Sequence, residues 1–361
     1  METNPTRHDG IVQQHCMYQY LPNSVKMSSS SSNCDIKGVA FIGLGKIGYA
    51  IAKNISTGTS TLPSSTLFSH FDINTSLCVE FAKDTPSKSA ASVADAVENA
   101  DIVFTALPND AILLSVSRGE GGIISSLQPG AIHVSCSTVS PDTSRAIAKE
   151  HVDRGAGFVC APVFARPDGM ALGHATIPVS GADESVQRVL PLLNATATEV
   201  RTGFGSDPGA ANVVKLAGNF LIASAIESMG EAFALSEAQG VDREAVRSLL
   251  TETIFDCLIY KGYGQRVARR DHAAYPNAHF ALDLGRKDIE LVRQTAASVN
   301  VPMPVAALLG DRFSGATAKG RSDLDWSAVG LASSEDAGVD VSKEIEHCRR
   351  PDPRIDWKPP T

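Results

Sequence analysis

The sequence lacks three features that would each indicate a particular class of protein. None of its seven cysteines forms a CxxC pair, so no zinc knuckle and no metal site is predicted. Lys and Arg total 32 against 40 Asp and Glu, and a formal charge of −8 argues against a nucleic-acid binder. No apolar run reaches about 18 residues, which predicts no membrane span. The scattered thiols indicate a reducing compartment, and we expect a cytoplasmic protein.

Composition and length predict a globular chain of two domains with polar ends. Apolar residues make up 43% and charged residues 20% of the 361 residues, enough for a sizeable core. Residues 1–36 carry a five-Ser run and no apolar period, which predicts a disordered extension without a secretory signal. Residues 331–361 are interpreted as a polar tail that adds little to the fold.

The first ordered segment has the pattern of a dinucleotide-binding unit. A short apolar run over 39–42 leads into a GxGxxG loop, and 49–55 continue at helical period. Gly43 permits the tight turn, Gly45 lets backbone N–H groups approach a pyrophosphate, and Gly48 lets the helix pack on its strand. The helix N-terminus then faces the anion. We expect cofactor contacts from the whole loop: Gly43, Leu44, Gly45, Lys46, Ile47 and Gly48.

The second predicted strand, 66–71, should end at the adenosine ribose, about 20 residues beyond the glycines. Ser69 and His70 take that position in this interpretation, and Asp72 comes slightly later. A hydroxyl and an imidazole are compatible with a 2′-phosphate, whereas a carboxylate would repel it. The sequence therefore favours NADP(H), with NAD(H) as the alternative.

Strands and helices alternate through 37–202, which predicts an α/β domain with a doubly wound parallel sheet. Further strands are predicted over 101–107, 131–135 and 158–163. Ligands of such sheets bind beyond the carboxyl ends of the strands. Two such ends carry the candidate ligand-binding residues Leu107, Pro108, Asn109, Ser137 and Thr138.

An all-helical domain is predicted over 203–330, entered by one long helix over 210–239. Within 210–235 only Lys215, Glu227 and Glu231 are charged, so the helix should be buried on most sides. One sheet domain cannot cover such a helix alone. We therefore expect a homodimer.

Residues 38–330 resemble the β-hydroxyacid dehydrogenase family, which includes 3-hydroxyisobutyrate dehydrogenases and relatives of 6-phosphogluconate dehydrogenase. The segments that carry the resemblance are VAFIGLGKIGYAIAKNI, LPND, CSTVSP, APVFARPDGMALG, GAANVVKLAGN and LGRKDIEL. The resemblance implies a Rossmann domain followed by a helical domain, and hydride transfer between a nicotinamide cofactor and a carbonyl or alcohol. Two alternatives stay open: an imine reductase, and a cofactor-binding protein without turnover.

The resemblance also implies the catalytic residues. The family's catalytic Lys and companion Asn correspond to Lys215 and Asn219, and positions i and i+4 share one helix face. Asn212, at i−3, is expected to join them at the substrate. The resemblance assigns Ser137 to the substrate, and Thr138 and Lys287 to the cofactor. Considered without the family, Lys287 and Asp288 would be a surface ion pair, and Ser137 and Thr138 a helix cap.

One segment departs from the family pattern. Family members carry Pro-Val-Ser-Gly-Gly, whose Ser and glycine amides bind a substrate carboxylate. Here residues 162–168 place Phe164 at the Ser position, followed by Ala165 and Arg166. Arg166 is either a bidentate carboxylate ligand or a structural partner of Asp168. A substrate that is larger or less acidic than a small 3-hydroxyacid is therefore predicted, with Phe164 and Arg166 in contact with it.

Overall fold

The computed structural model describes residues 36–58, 65–274 and 277–350. The predicted extension 1–36 lies outside these ranges apart from Ile36, and so does the last part of the predicted tail, 351–361.

The first domain is built around a seven-stranded sheet within the described residues, in the order β3-β2-β1-β4-β5-β6-β8. All neighbours pair in parallel except β6 and β8. A parallel pair of β7 and β9 lies beside it. The elements are β1 (Gly38–Ile42), α1 (Lys46–Thr57), β2 (Leu67–Phe71), α2 (Thr75–Asp84), β3 (Lys88–Ser89), α3 (Val93–Val97), β4 (Ile102–Thr105), α4 (Asp110–Ser117), α5 (Ile123–Ser126), β5 (Ile132–Ser135), α6 (Pro141–Val152), β6 (Gly157–Cys160), α7 (Pro167–Ala171), β7 (Thr176–Pro178), β8 (Ser180–Gly181), α8 (Asp183–Asn194) and β9 (Glu199–Arg201).

The central strands are buried along their whole length because helices cover both faces of the sheet. Every residue of β1, β4 and β5 is buried, and the rings of Phe41 and Phe104 stack across β1 and β4. The chain reverses its direction of winding between β1 and β4. In open α/β sheets this reversal opens a crevice at the carboxyl ends of the strands, where ligands bind. The predicted doubly wound sheet is confirmed.

In the part of the second domain that the structure describes, the regular elements are all helices apart from two isolated β-bridges. Its elements are α9 (Ala210–Ala238), α10 (Arg243–Glu252), α11 (Leu258–Arg269), α12 (Leu282–Ser298), α13 (Pro304–Ala318), a 3₁₀ helix (Trp326–Gly330), α14 (Leu331–Asp336) and α15 (Ser342–Cys348). Phe233, Leu282, Phe313 and Trp326 form part of a separate core, so the second domain is a packing unit of its own.

Helix α9 is the axis of the second domain, and α11, α12 and the 3₁₀ helix pack around it. The helix is long and apolar enough to span a membrane, but helices in the core of a globular domain can have the same length and composition. The packing around α9 accounts for its composition, and its last turn ends before Gly240, which adopts φ +76°.

The prediction of a polar tail from 331 is wrong for 331–350. This segment forms α14 and α15, and it buries Leu331, Val341 and Cys348 in the core of the second domain. The buried positions are few and widely spaced in a polar sequence, so no helical period is visible without the surface on which they pack.

Candidate functional site

The glycine loop forms an open cradle at the N-terminus of α1. Gly43 has φ +95°, and a Cβ there would lie 2.5 Å from the carbonyl oxygen of Ala106. A Cβ on Gly48 would lie 2.1 Å from the carbonyl oxygen of Gly43, so only glycine lets the helix pack this closely. At Gly45 a Cβ would meet nothing within 4 Å. No side chain caps α1, and a helix N-terminus with open space at Gly45 suits a pyrophosphate.

A carboxylate lies beside this cradle at the carboxyl end of β2. Asp72 follows the strand directly, and its Oδ2 accepts a hydrogen bond of 2.6 Å from the backbone N–H of Leu44. Its other oxygen, Oδ1, accepts one of 2.7 Å from the N–H of Asn74. The two hydrogen bonds fix the carboxylate where the ribose of a dinucleotide is bound in this fold.

The prediction that Ser69 and His70 meet the ribose is wrong. His70 is fully buried, with Nε2 donating to the carbonyl oxygen of Cys78 and Nδ1 accepting from the hydroxyl of Ser87, both at 3.0 Å. Burial lowers the pKa of His70. Ser69 lies in the middle of β2, away from its carboxyl end. The sequence alone does not show where the strand ends. A shift of two residues in that end changes which side chain lies at its carboxyl edge.

The loops after β4 and β5 are tied to each other. The backbone N–H of Leu107 donates to Oγ of Ser137 at 2.8 Å, and the N–H of Ser140 donates to Oδ1 of Asp110 at 2.9 Å. The carboxamide oxygen of Asn109 caps α4. These contacts hold the two strand ends together as one wall of the crevice.

Three further predicted cofactor residues have different surroundings. Pro108 is exposed at the rim, and Ile47 is half-buried against the core of the first domain. Lys46 reaches the second domain, where its Nζ donates to the carbonyl oxygen of Ala278 at 3.0 Å. Burial lowers the pKa of Lys46, although the charge of Asp325 opposes the shift. The glycine loop is thus linked directly to the helical domain.

Lys215 is a buried amine within a chain of polar contacts. Its Nζ donates to Oδ1 of Asn219 at 3.0 Å, and Nδ2 of Asn219 donates to Oδ2 of Asp288 at 2.5 Å. Lys215 is only 8% exposed. Burial lowers its pKa to about 8, against the opposing charge of Asp288 and with a further contribution from Lys287. The side chain can therefore exchange a proton close to neutral pH.

Lys287 joins the two domains at this point. Its Nζ lies 2.9 Å from Oδ1 of Asp288 and donates to the carbonyl oxygen of Thr138 at 2.6 Å. Lys287 and Asp288 are therefore not the surface ion pair of the alternative interpretation, because Asp288 is 1% exposed. The structure brings Lys215, Asn219 and Lys287 together beside the loop after β5.

Phe164 closes the site on its other side. Nζ of Lys215 lies 4.2 Å from the centroid of the Phe164 ring, within the range of a cation–π contact. The backbone N–H and carbonyl of Phe164 both bond to Thr176. Arg166 is half-exposed and pairs with Asp168 at 3.1 Å, the structural alternative of the two that the sequence left open.

Asn212 does not join Lys215, so its predicted contact with the substrate is wrong. Its Nδ2 donates to Oγ of Ser144 at 3.0 Å and to Sγ of Cys160 at 3.1 Å, and its Oδ1 accepts from the N–H of Val139 at 3.4 Å. A residue three positions before Lys215 can point toward it or toward the sheet domain. The contacts with β6 and α6 direct the Asn212 side chain to the sheet domain. Asn212 attaches α9 to the sheet domain.

Sequence reasoning missed the roles of three residues in shaping the site: Asp72, Asp288, and Gly218, against which the Phe164 ring packs. Asp72 had a signal, as the first acidic residue after an apolar strand. Asp288 had a weaker signal, its position next to Lys287, which the resemblance assigns to the cofactor. Gly218 had none, because a glycine within a long helical pattern indicates nothing by itself.

Within the described residues no group of three metal-ligating side chains occurs.

Comparison with known proteins agrees with this geometry. Residues 38–205 match the family model of the NAD binding domain of 6-phosphogluconate dehydrogenase. Residues 209–332 match the NAD-binding domain of NADP-dependent 3-hydroxyisobutyrate dehydrogenase. Both matches assign the chain a nicotinamide cofactor.

Similar proteins cover nearly the same span. An uncharacterized oxidoreductase, YfjR of Bacillus subtilis, is 32% identical over 294 residues, which are 81% of this chain and 98% of the relative. The 2-(hydroxymethyl)glutarate dehydrogenase of Eubacterium barkeri is 28% identical, over 84% of this chain and 97% of the relative. The crystal structure of a 3-hydroxyisobutyrate dehydrogenase from Salmonella typhimurium superimposes with a TM-score of 0.70 at 24% identity, covering 82% of this chain and 99% of that one.

Proposed function

This chain belongs to the β-hydroxyacid dehydrogenase family of oxidoreductases, and on that premise we propose that it interconverts a hydroxy compound and its carbonyl with Lys215 as general acid and base. The observation that carries the proposal is the environment of Lys215. A buried amine with a pKa of about 8 lies on the helical domain, facing the crevice where the family binds its cofactor.

The residues at the crevice suit a dinucleotide. The open space above Gly45 and the uncapped N-terminus of α1 would hold the pyrophosphate, and Asp72 would hold the ribose. The wall formed by Leu107 and Thr138 continues the crevice toward Lys287. The cofactor supplies a nicotinamide ring that takes up or gives back the hydrogen and electron pair of the carbinol carbon.

Lys215 handles the proton. In the direction of alcohol oxidation, neutral Nζ takes the proton of the substrate hydroxyl as the carbonyl forms. In the direction of reduction, the ammonium form returns that proton to the oxygen. A pKa of about 8 keeps both forms accessible near neutral pH.

Asn219 and Asp288 position Lys215. Asp288 accepts a hydrogen bond from Nδ2 of Asn219, which turns the amide so that its Oδ1 faces Nζ. The charge of Asp288 also moderates the effect of burial on the pKa of Lys215. Lys287, held between Asp288 and the carbonyl of Thr138, keeps the helical domain against the cofactor crevice.

For the cofactor we propose NAD(H) in preference to NADP(H). The argument for NADP(H) depended on a strand end without a carboxylate, and Asp72 lies at that end beside Leu44. A carboxylate accepts hydrogen bonds from the two ribose hydroxyls of NAD(H) and repels a 2′-phosphate.

The test of the proposed function is turnover of a panel of small hydroxy compounds and their carbonyls by the wild type and by Lys215→Ala. We expect Lys215→Ala to bind the cofactor normally and to lose about two to four orders of magnitude in kcat. Lys261→Ala is the matched control, since Lys261 lies on a helix of the same domain and is half-exposed. Near-normal kcat in Lys215→Ala would show that another group handles the proton.

A further inference from the structure

The ring of Phe164 packs directly against Gly218. A Cβ on Gly218 would lie 2.5 Å from both Cε1 and Cζ of the Phe164 ring, so the ring occupies the space that any other residue at 218 would fill. Gly218 is one turn beyond Lys215 on the same helix. The ring is therefore held over the amine by the absence of a side chain on α9.

The ring also replaces polar contacts at the reacting centre. The N–H of Phe164 donates to the carbonyl oxygen of Thr176 at 2.9 Å, so it is not available to a substrate. Residue 167 is a proline and has no N–H to offer. Arg166, the nearest cation on this segment, is engaged with Asp168. A carboxylate placed against this segment would lose water and meet an apolar ring in exchange.

We propose that Phe164 and Gly218 form an apolar wall beside Lys215 that selects substrates with an uncharged, apolar substituent next to the reacting carbon, instead of a carboxylate. The inference depends on the proposed function and specifies its substrate class. A carbonyl oxygen can still bind beside the wall, because Nζ of Lys215 donates a hydrogen bond to it. The wall disfavours a charged group placed against the ring, because the ring offers no donor and the N–H of Phe164 is already bonded to Thr176.

The experiment compares 3-hydroxyisobutyrate with its methyl ester, which carries the same reacting alcohol but no negative charge. We expect the wild type to prefer the ester in kcat/KM by about tenfold or more. Phe164→Leu keeps an apolar wall and should keep this ratio. Phe164→Ser removes the ring and admits water, and should reduce the ratio by about tenfold. A wild type that prefers the acid, or an unchanged ratio in Phe164→Ser, would overturn the proposal.

Gly218→Ala tests the pairing itself. The added methyl group displaces the ring, so this variant should change the ratio in the same direction as Phe164→Ser. In the double variant Phe164→Ser/Gly218→Ala the second substitution should add little. Gly315→Ala is the matched control, because Gly315 also lies within a helix and a Cβ there meets nothing within 4 Å.

A second measurement needs no turnover and separates the two proposals. Nuclear magnetic resonance of the 13C-methylated lysines follows the titration of Lys215 in each variant. Since burial is the main cause of its low pKa, Phe164→Ser and Gly218→Ala should raise the pKa of Lys215 by about one unit or more. An unchanged pKa in both variants would show that no wall covers the amine. If the wild type turns over neither compound nor any member of the panel, the proposed function fails and this titration still decides whether the wall exists.

Discussion

The pKa of Lys215 predicts how the rate depends on pH. At pH 7 a lysine with a pKa of about 8 is neutral in about 9% of molecules, whereas one with the ordinary value of 10.5 is neutral in about 0.03%. Burial of Lys215 thus makes about 300 times more of the base that alcohol oxidation needs. We expect kcat/KM for oxidation to rise with pH through an inflection near 8 and then to level. For reduction the ammonium is the active form, so kcat/KM should fall above the same pH.

Asp288→Asn isolates the electrostatic part of this effect. The amide can still accept the hydrogen bond from Asn219, but the negative charge that stabilises the ammonium of Lys215 is gone. The inflection should therefore move to lower pH, by about one unit. Asp283→Asn is the control, as Asp283 lies on the same helix and is half-exposed.

The assay is the initial rate from pH 5.5 to 10 at saturating cofactor, in both directions, for the wild type and the two variants. A profile without an inflection between about pH 7 and 9 would refute the assignment of Lys215 as the titrating group. So would an inflection that stays in place in Asp288→Asn, because the charge of Asp288 would then not act on the group that controls the rate.

Three further predictions concern the cofactor, acid stability and assembly. By calorimetry, NADH should bind about tenfold or more tightly than NADPH, and Asp72→Asn should reduce this preference; a wild type that favours NADPH would contradict the role of Asp72. His272 is buried with its pKa lowered to about 3, so its contribution to stability is complete above pH 6.5 and is lost as the pH falls. Between pH 7 and 5 the free energy of unfolding in urea should fall by about 2 kcal/mol more in the wild type than in His272→Gln. Equal losses in the two proteins would contradict this. Leu221 and Leu235 are 64% and 67% exposed on one face of α9, and we expect a homodimer in sedimentation that Leu235→Glu weakens; a monomeric wild type would refute it.

Local chemistry determined the glycine loop, the alternating sheet domain, the long apolar helix and the pair Lys215–Asn219. Each of these depends on residues that are close in sequence. A turn that needs glycine, an apolar run buried between helices and two side chains one helical turn apart are all specified within a few residues. For the same reason the family resemblance could be stated on short segments.

Only the tertiary structure decided which side chains meet across those segments. Asp72, and not His70, lies beside the glycine loop because the carboxyl end of β2 is set by its pairing with β1. Asn212 turns away from Lys215 because Ser144 and Cys160 provide its hydrogen bonds from another part of the chain. Helices α14 and α15 form on a surface that the earlier helices must first build. The low pKa of Lys215 likewise comes from burial. Residues distant in sequence contribute to that burial, among them Phe164, about 50 residues away, and they leave no signal in the local pattern.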